Sequence, residues 1–156
     1  MSRGVMISIR PKHCQDILAL EKTLEIRKNK PNLPTPFKCY IYETKQKMWR
    51  IINGKRVSFD VGGKVIAEFI CDEIIPIHVF ENGSIQDWNH HELSRACITY
   101  KQMADYIGHG KIGYAWHISN LKVYDRPKHL DTFAVDSAND KYMTRAPQSW
   151  GYVEVI

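Results

Sequence analysis

The sequence lacks the cysteine spacing that would mark a metal or redox site. Its four cysteines, Cys14, Cys39, Cys71 and Cys97, lie far apart, and none forms a C-x-x-C pair. Cys39 and Cys71 lie in alternating apolar stretches, so we expect them to be reduced core residues. The adjacent histidines of residues 89–91 (Asn-His-His) have no matching ligands nearby in the sequence. We therefore expect no metal and no cofactor.

Long apolar runs are also absent. No run approaches the roughly 18 residues that a membrane span needs, and residues 1–13 contain no apolar segment followed by a small-residue cleavage site. The sequence shows no internal repeat, heptad pattern or low-complexity segment. From these absences and from the length of the chain we expect one soluble, cytoplasmic domain over residues 1–156, with no membrane partner.

The charges, by contrast, are unevenly distributed along the chain. The net charge is +5, but residues 1–64 carry 14 Lys and Arg against 5 Asp and Glu, whereas residues 65–156 carry 8 against 12. A protein polarised in this way offers a face to a polyanion, and phosphate backbone is the usual polyanion. The alternative is that the basic half is simply solvated lysine.

The first half of the sequence is typical of strands joined by turns. Asn53-Gly54 between two apolar runs is the strongest short hairpin signal. Pro11 is expected to open a helix that ends near residues 20–21, with Cys14, Ile17 and Leu18 as its apolar stripe. We predict a proline-rich loop at 29–37 and strands at 6–10, 23–28, 38–45 and, as one long strand buried partly on both sides, 62–80.

The second half begins with a helical region at residues 84–109. Within it, Thr99 is the predicted N-cap of a helix that Gly108 stops. A strand at 114–125 follows, ended by Arg126-Pro127, then a loop at 134–146 and a last strand at 148–156. Many strands with a few helices favour an α+β fold, most simply a small mixed β-barrel with helices packed outside.

One short segment, EKTLEIRK at residues 21–28, carries the candidate site. With a period of two, Thr23, Glu25 and Arg27 lie on one face of a strand, while Leu24 and Ile26 lie on the other. A strand that buries Leu24 and Ile26 therefore presents a Thr–Glu–Arg row on its opposite face. This row is either solvated surface or the floor of a site.

Lys22, Glu25 and Arg27 also match a signature, G-x-K-x-x-E-x-R, in which Leu20 stands in place of the glycine. Around it lie ISIRPKHCQDIL before the signature, then YIYET, GKVIAEF, GYAWHISNLKVYDRP and finally RAPQSWGYVEV. In these blocks and their order the sequence resembles the ASCH domain family of the PUA-like superfamily, in particular its small bacterial and phage-borne members.

The resemblance implies a PUA-like β-barrel and a cleft, at the junction of the first helix and the next strand, in which relatives hold RNA or a nucleoside. Such a cleft needs cations for phosphate, a carboxylate for base N–H groups and aromatic rings for stacking, which suits single-stranded or looped RNA. The residues that fit these roles are Lys12, Lys22, Thr23, Glu25, Arg27, Lys28, Tyr114, Trp116 and His117.

Each of these assignments has an alternative. Glu25 and Arg27 could simply pair with each other or with Lys22, and Lys12 could be an ordinary lysine at a helix start. Tryptophans of small barrels usually fill the interior, so Trp116 and Trp150 fit the core at least as well as a stacking platform. Tyr114 and His117 point to opposite faces of a regular strand, so at most one of them belongs to the cleft.

We favour an RNA-binding module over two alternatives. Some ASCH relatives are hydrolases, either N4-acetylcytidine amidohydrolases or proposed ribonucleases, and Lys22 and Glu25 would then be the catalytic residues. However, Glu25 occupies the position of the amidohydrolase threonine nucleophile, and Thr23 lies two residues before it. The third class is a phage-borne interaction module whose polarised surface docks another protein.

Overall fold

A computed structural model describes residues 2–86 and 88–156, which form a mixed α+β structure. The helices are α1 (Pro11–Leu18), α2 (His90–Ala96) and α3 (Tyr100–Ile107), with 3-10 turns at Leu130–Thr132 and Ser137–Asn139. The strands are β1 (Arg3–Ile9), β2 (Leu24–Arg27), β3 (Phe37–Glu43), β4 (Gln46–Ile52), β5 (Lys55–Val61), β6 (Lys64–Cys71), β7 (Ile74–His78), β8 (Ile112–His117), β9 (Ser119–Lys128), β10 (Ala134–Asp136), β11 (Lys141–Tyr142) and β12 (Trp150–Glu154). Within these described ranges no helix is long and apolar enough to cross a membrane.

The strands form two sheets and two hairpins. One sheet has the order β12-β1-β3-β6-β9, in which β1 is antiparallel to β12 and parallel to β3. A second sheet, β2-β8-β7, is antiparallel, and β4–β5 and β10–β11 are separate pairs. The predicted α+β class is confirmed. Over residues 2–86 and 88–156 none of the sheets closes on itself, so the predicted barrel is not confirmed.

The chain divides into two compact units, each with a core. Unit 1 comprises the residues up to Gln15, Lys38–Glu68 and Lys122–Ile156, and unit 2 comprises Asp16–Phe37 and Phe69–Leu121. The expectation of a single domain over residues 1–156 stays a prediction. The unit 1 core contains Met6, Tyr40, Tyr42, Val65, Phe133, Met143 and Val153.

The unit 2 core lies between the β2-β8-β7 sheet and the helices α2 and α3. From the sheet it takes Leu24, Ile26 and Ala115, and from the helices it takes side chains that include Leu93 and Met103. Each helix begins with a capping box, in which the side chain of the N-cap residue and that of the third helical residue bond each other's backbone N–H. Asn89 caps α2, and the predicted N-cap, Thr99, caps α3.

Several predicted elements are confirmed. Asn53-Gly54 forms the tight turn between β4 and β5, with both residues at positive φ. Gly108 ends α3, and the last strand is β12. In α1, Cys14 and Ile17 are buried as expected, whereas Leu18 is 40% exposed.

Two strand predictions and one loop prediction are wrong in their bounds. The predicted strand at 62–80 is two strands, β6 and β7, which separate at Asp72-Glu73 and belong to different sheets. The one at 114–125 is likewise split, at Ile118, into β8 and β9. β9 continues past Pro127 because it is the last strand of its sheet, where a missing N–H interrupts no ladder. The predicted loop at 134–146 contains β10 and β11.

Candidate nucleic-acid interface

Strand β2 is buried on both faces, although half of its side chains are charged. Leu24 and Ile26 join the unit 2 core, and Glu25 and Arg27 are 7% and 8% exposed. In the pairing of β2 with β8, Glu25 lies opposite Trp116 and Arg27 lies opposite Tyr114. Directly opposed residues share a face of the sheet. We call these four residues the Glu25 face. Because Glu25 and Arg27 are buried, the interpretation of this row as solvated surface is wrong.

Glu25 and Arg27 form an ion pair on this face. The Nε of Arg27 lies 3.6 Å from Oε1 of Glu25, which confirms the alternative that these two residues pair with each other. The second carboxylate oxygen, Oε2, is closed off from solvent and has no hydrogen-bond partner within the described part of the chain. A buried acceptor without a partner costs about 1–3 kcal/mol, and more when it is charged. The site therefore holds an acceptor that a ligand N–H could satisfy.

The two aromatic residues of the Glu25 face differ in exposure. Trp116 is fully buried, packs edge-on against Phe37 with ring centroids 5.9 Å apart, and donates its Nε1–H to the Asn29 carbonyl at 3.4 Å. Trp116 is therefore a core residue, which confirms the alternative that this tryptophan fills the interior. Tyr114 is partly exposed.

Two lysines that follow β2 lie over tyrosine rings. The ammonium of Lys28 is 5.2 Å from the centroid of Tyr106, and that of Lys30 is 5.6 Å from the centroid of Tyr114. We call these four residues the lysine–tyrosine rim. Exposed cation–π contacts of this kind contribute about 0.5–1 kcal/mol each and hold the cation beside the ring. The rim therefore combines positive charge with aromatic surface.

Tyr106 links the rim electrostatically to the Glu25 face. Burial raises the pKa of Tyr106, while the charge of Arg27 lowers it and that of Glu25 raises it further. Both charges therefore act on the Tyr106 hydroxyl. Sequence reasoning missed Tyr106 and Lys30, because Tyr106 comes from a helix almost 80 residues away. The only sequence signal was an aromatic residue on the predicted helix near Gly108.

Lys22 and Thr23 connect the start of β2 to α2. The Nζ of Lys22 donates to the Ala96 carbonyl at 2.5 Å, and Lys22 is 3% exposed. A cation at the last carbonyls of a helix is electrostatically favourable. The Thr23 hydroxyl accepts from Nε of Arg95 at 3.1 Å. Among the described contacts, the Lys22 ammonium forms no ion pair or hydrogen bond with Glu25.

His117 lies on the opposite side of the sheet from the Glu25 face, and Lys12 belongs to the other compact unit. His117 is opposite Leu24 in the register and therefore on the other face of β8 from Tyr114, and its Nδ1 is 2.6 Å from Oδ1 of Asp72. Burial, the largest single influence, would raise the pKa of Asp72, but the hydrogen bond and charge of His117 and the bonds from the Asp72 backbone and Ser119 together lower it. Lys12 is an exposed residue of α1 and belongs to unit 1.

A pocket of about 480 Å³ lies where α2 is followed by α3, and none of the predicted site residues lines it. Its lining includes Cys97, whose pKa is raised by burial, so the thiol stays protonated at neutral pH and is a poor nucleophile. Over residues 2–86 and 88–156 no group of three or more His, Cys, Asp or Glu side chains is arranged to hold a metal ion.

Comparison with solved structures shows which class of protein has this arrangement of sheets and helices. The fold is that of the ASCH domain, so the predicted resemblance is confirmed at the level of the fold. The ASCH protein of Zymomonas mobilis, known from a crystal structure, superposes with a TM-score of 0.65 at 20% sequence identity, over 97% of this chain and 87% of that chain.

Crystal structures of two point mutants of the Zymomonas mobilis protein give the same result. Their TM-scores are 0.59 and 0.60, each at 20% identity over 97% of this chain, with 90% and 88% of the mutant chains covered. No protein-family model matches the sequence, and no curated protein sequence matches it.

Proposed function

We propose that this protein is an RNA-binding module that holds single-stranded or looped RNA, or a nucleoside, at the Glu25 face and the lysine–tyrosine rim. The observation that carries the proposal is the buried carboxylate of Glu25, one oxygen of which has no partner within the described residues. The ASCH fold, the basic first half of the sequence and the neighbouring rim support the same conclusion.

Each part of the site has a role in this proposal. Glu25 accepts a hydrogen bond from a base amino group, as carboxylates do from the N4 amino group of cytosine. Lys28 and Lys30 neutralise backbone phosphates, and the exposed ring surface of Tyr114 stacks on an unpaired base. A stacked base contributes about 1–3 kcal/mol without requiring a particular sequence.

Binding at Glu25 requires the side chains around it to move. Because Oε2 of Glu25 is closed off from solvent, a base reaches it only when neighbouring side chains are displaced. Lys28 and Lys30 are exposed and held mainly by cation–π contacts, so their displacement is inexpensive. The site therefore selects ligands that replace these contacts with base stacking and phosphate pairing.

The hydrolase alternative has less support from the geometry. A lysine base and a nearby nucleophile have to converge on one substrate bond. The Lys22 ammonium donates instead to the Ala96 carbonyl, and the Thr23 hydroxyl accepts from Arg95. We therefore keep hydrolysis, by a ribonuclease or an amidohydrolase route, as an outcome that the experiment has to exclude.

The binding experiment measures the fluorescence anisotropy of labelled single-stranded RNA at several salt concentrations. Lys28→Gln/Lys30→Gln is expected to weaken binding about tenfold and to reduce the slope of log Kd against log salt by about 1.4, which is two phosphates at about 0.7 each. Lys101→Gln/Lys111→Gln removes two other exposed lysines of unit 2 and is the matched control. An equal loss in both variants contradicts the proposed site.

A parallel experiment tests for chemistry. The protein is incubated with single-stranded RNA, hairpin RNA and N4-acetylcytidine, and products are assayed beside a Lys22→Ala/Glu25→Ala variant. We expect binding without product. Product that disappears in the variant would replace the binding module by a hydrolase, and no binding to any RNA or nucleoside would redirect the search to protein partners.

A further inference from the structure

Within the described residues, the β4–β5 hairpin contributes no side chain to either of the two cores. Among residues 2–86 and 88–156 its two seven-residue strands pair only with each other, and residues 45–58 are all exposed. The hairpin includes large apolar residues on the surface, of which Trp49 is 52% and Ile51 is 69% exposed. An isolated two-stranded hairpin is marginally stable in water, and exposed apolar clusters mark binding surfaces.

The hairpin is also the most basic segment of the chain. Residues 45–64 contain six Lys and Arg and one acid, Asp60, which pairs with Lys47 at 3.8 Å. Both faces of the hairpin carry cations beside apolar side chains. Trp49, Ile51 and Arg56 share one face, and Arg50, Val57 and other apolar side chains share the other.

Each face carries a guanidinium stacked on an aromatic ring. Cζ of Arg56 lies 4.2 Å from the Trp49 centroid, and Cζ of Arg50 lies 4.6 Å from the Phe59 centroid. A stacked guanidinium keeps its N–H edges outward and loses less rotamer freedom when it binds an anion. Both arginines are therefore oriented for phosphate before any ligand arrives.

We infer that the β4–β5 hairpin is a second RNA-binding surface, which holds single-stranded RNA through phosphate contacts of Arg50 and Arg56 and base stacking on the part of Trp49 that Arg56 leaves exposed. Charge complementarity favours this occupant over a second copy of the chain, because two copies of so basic a hairpin repel each other. A single strand fits better than a duplex, because its unpaired bases can cover the exposed apolar side chains. The identity of the ligand as RNA rests on the proposed function.

The test uses the full chain and a labelled single-stranded RNA. Arg50→Gln/Arg56→Gln is expected to weaken binding about tenfold and to reduce the salt slope by about 1.4. The matched control, Arg126→Gln/Arg145→Gln, removes two exposed arginines elsewhere in unit 1 and should leave both quantities unchanged. Because the hairpin has no core side chain, the variants should unfold at the wild-type temperature.

A second readout is the fluorescence of Trp49. RNA should quench the tryptophan emission of the wild-type protein, Trp49→Phe should abolish most of this quenching, and Trp150→Phe should retain it. Wild-type affinity in the double arginine variant would overturn the inference. So would equally tight binding of duplex RNA or duplex DNA, or a dimer that the arginine substitutions dissociate while RNA affinity is unchanged.

The outcomes separate this inference from the proposed function. Loss of affinity in the hairpin variant but not in Lys28→Gln/Lys30→Gln supports the hairpin and contradicts the Glu25 site. The reverse pattern overturns the hairpin inference and leaves the Glu25 site in place. A wild-type protein that binds no RNA overturns both.

Discussion

Glu25 and Arg27 each place a charge where it is nine-tenths buried, on a strand of only four residues. Taking two charges out of water is expensive, and their mutual attraction offsets the cost only while both are present. The pair is therefore weak evidence for stability. The Glu25 oxygen without a hydrogen-bond partner points instead to ligand binding, because an ion pair that only stabilises the fold has no use for it.

Removing one member of the pair should cost more than removing both. We expect Arg27→Gln to lower the free energy of unfolding by roughly 3–5 kcal/mol, because it leaves the Glu25 charge buried without its partner. Glu25→Gln/Arg27→Gln should recover much of that loss. Urea unfolding of the two single variants and the double variant measures the coupling, and additive losses would contradict a direct interaction.

A second charged cluster lies in unit 1. Nζ of Lys38 is 2.6 Å from Oε2 of Glu68, and the Tyr124 hydroxyl donates to Oε1 of Glu68 at 2.8 Å. Burial would raise the pKa of Glu68, but the bonds from Lys38 and Tyr124 lower it overall from its ordinary value of 4.5. The bond to Glu68 correspondingly raises the pKa of Lys38.

The direction of the Glu68 pKa shift determines how its contribution to stability depends on pH. A carboxyl with a lowered pKa contributes stability above its ordinary value, and this contribution is lost as the pH falls through the lowered pKa. We expect Glu68→Gln to cost about 1.5–3 kcal/mol at pH 7, as for hydrogen bonds to charged groups. The difference from wild type should shrink as the pH falls below 4.5, which thermal unfolding at several pH values can measure. A difference that is independent of pH would contradict the role of the charge.

At the scale of elements, two glycines offer a matched comparison. Gly54 and Gly62 have φ values of 77° and 79°, in the left-handed region that favours glycine. A Cβ on Gly54 would meet nothing within 4 Å, whereas one on Gly62 would lie 2.0 Å from the Thr44 carbonyl oxygen. The first glycine lies at the tip of the hairpin and the second at its base.

Alanine at the two positions should therefore have different effects. Gly54→Ala should cost about 1–2 kcal/mol, the penalty of the left-handed backbone alone. Gly62→Ala should cost more, because the Thr44 backbone also has to move. Chemical denaturation of both variants tests this difference, and equal losses would show that the base of the hairpin relaxes freely.

The elements that the sequence predicted well depend on local chemistry. The Asn53-Gly54 turn and the Thr99 cap need only a few neighbouring residues, and both were found as expected. The break at Asp72-Glu73 was missed because the apolar runs on both sides look like one strand. Which sheet each half joins depends on partners far away in the sequence.

The candidate site was predictable only in part. The alternation of residues 23–27 correctly separated Glu25 and Arg27 from Leu24 and Ile26. Their burial, and the bond of Lys22 to Ala96, depend on packing between distant segments. For the same reason the sequence could not place Tyr106 beside Lys28.

At the scale of the whole molecule, charge is the property most relevant to RNA. The first 64 residues carry most of the cations, and residues 45–64, which are the hairpin and its flanking residues, hold six of them. Such a distribution attracts an anionic polymer over long distances and gives binding that salt weakens. The two proposed surfaces both contribute to this field.

Affinity for single-stranded RNA should therefore fall steeply with ionic strength. If about four phosphates are neutralised, Kd should rise about 50-fold between about 50 and 200 mM salt. Titrations at four salt concentrations measure the slope, and a methylphosphonate strand of the same sequence is the uncharged control. An affinity that does not change with salt would contradict phosphate recognition.

The hairpin has a consequence for association in solution as well. Of the strands that the structure describes, β4 and β5 pair only with each other, so each has an outer edge of unpaired backbone N–H and C=O groups. Open edges of this kind invite strand addition from another chain, and charged side chains, lysine above all, are the usual protection. The cations that would hold RNA thus also keep neighbouring molecules from adding strands. Neutralising the four cations of the two strands would remove the RNA contacts and the charge protection together, and would leave an open strand edge beside an apolar surface.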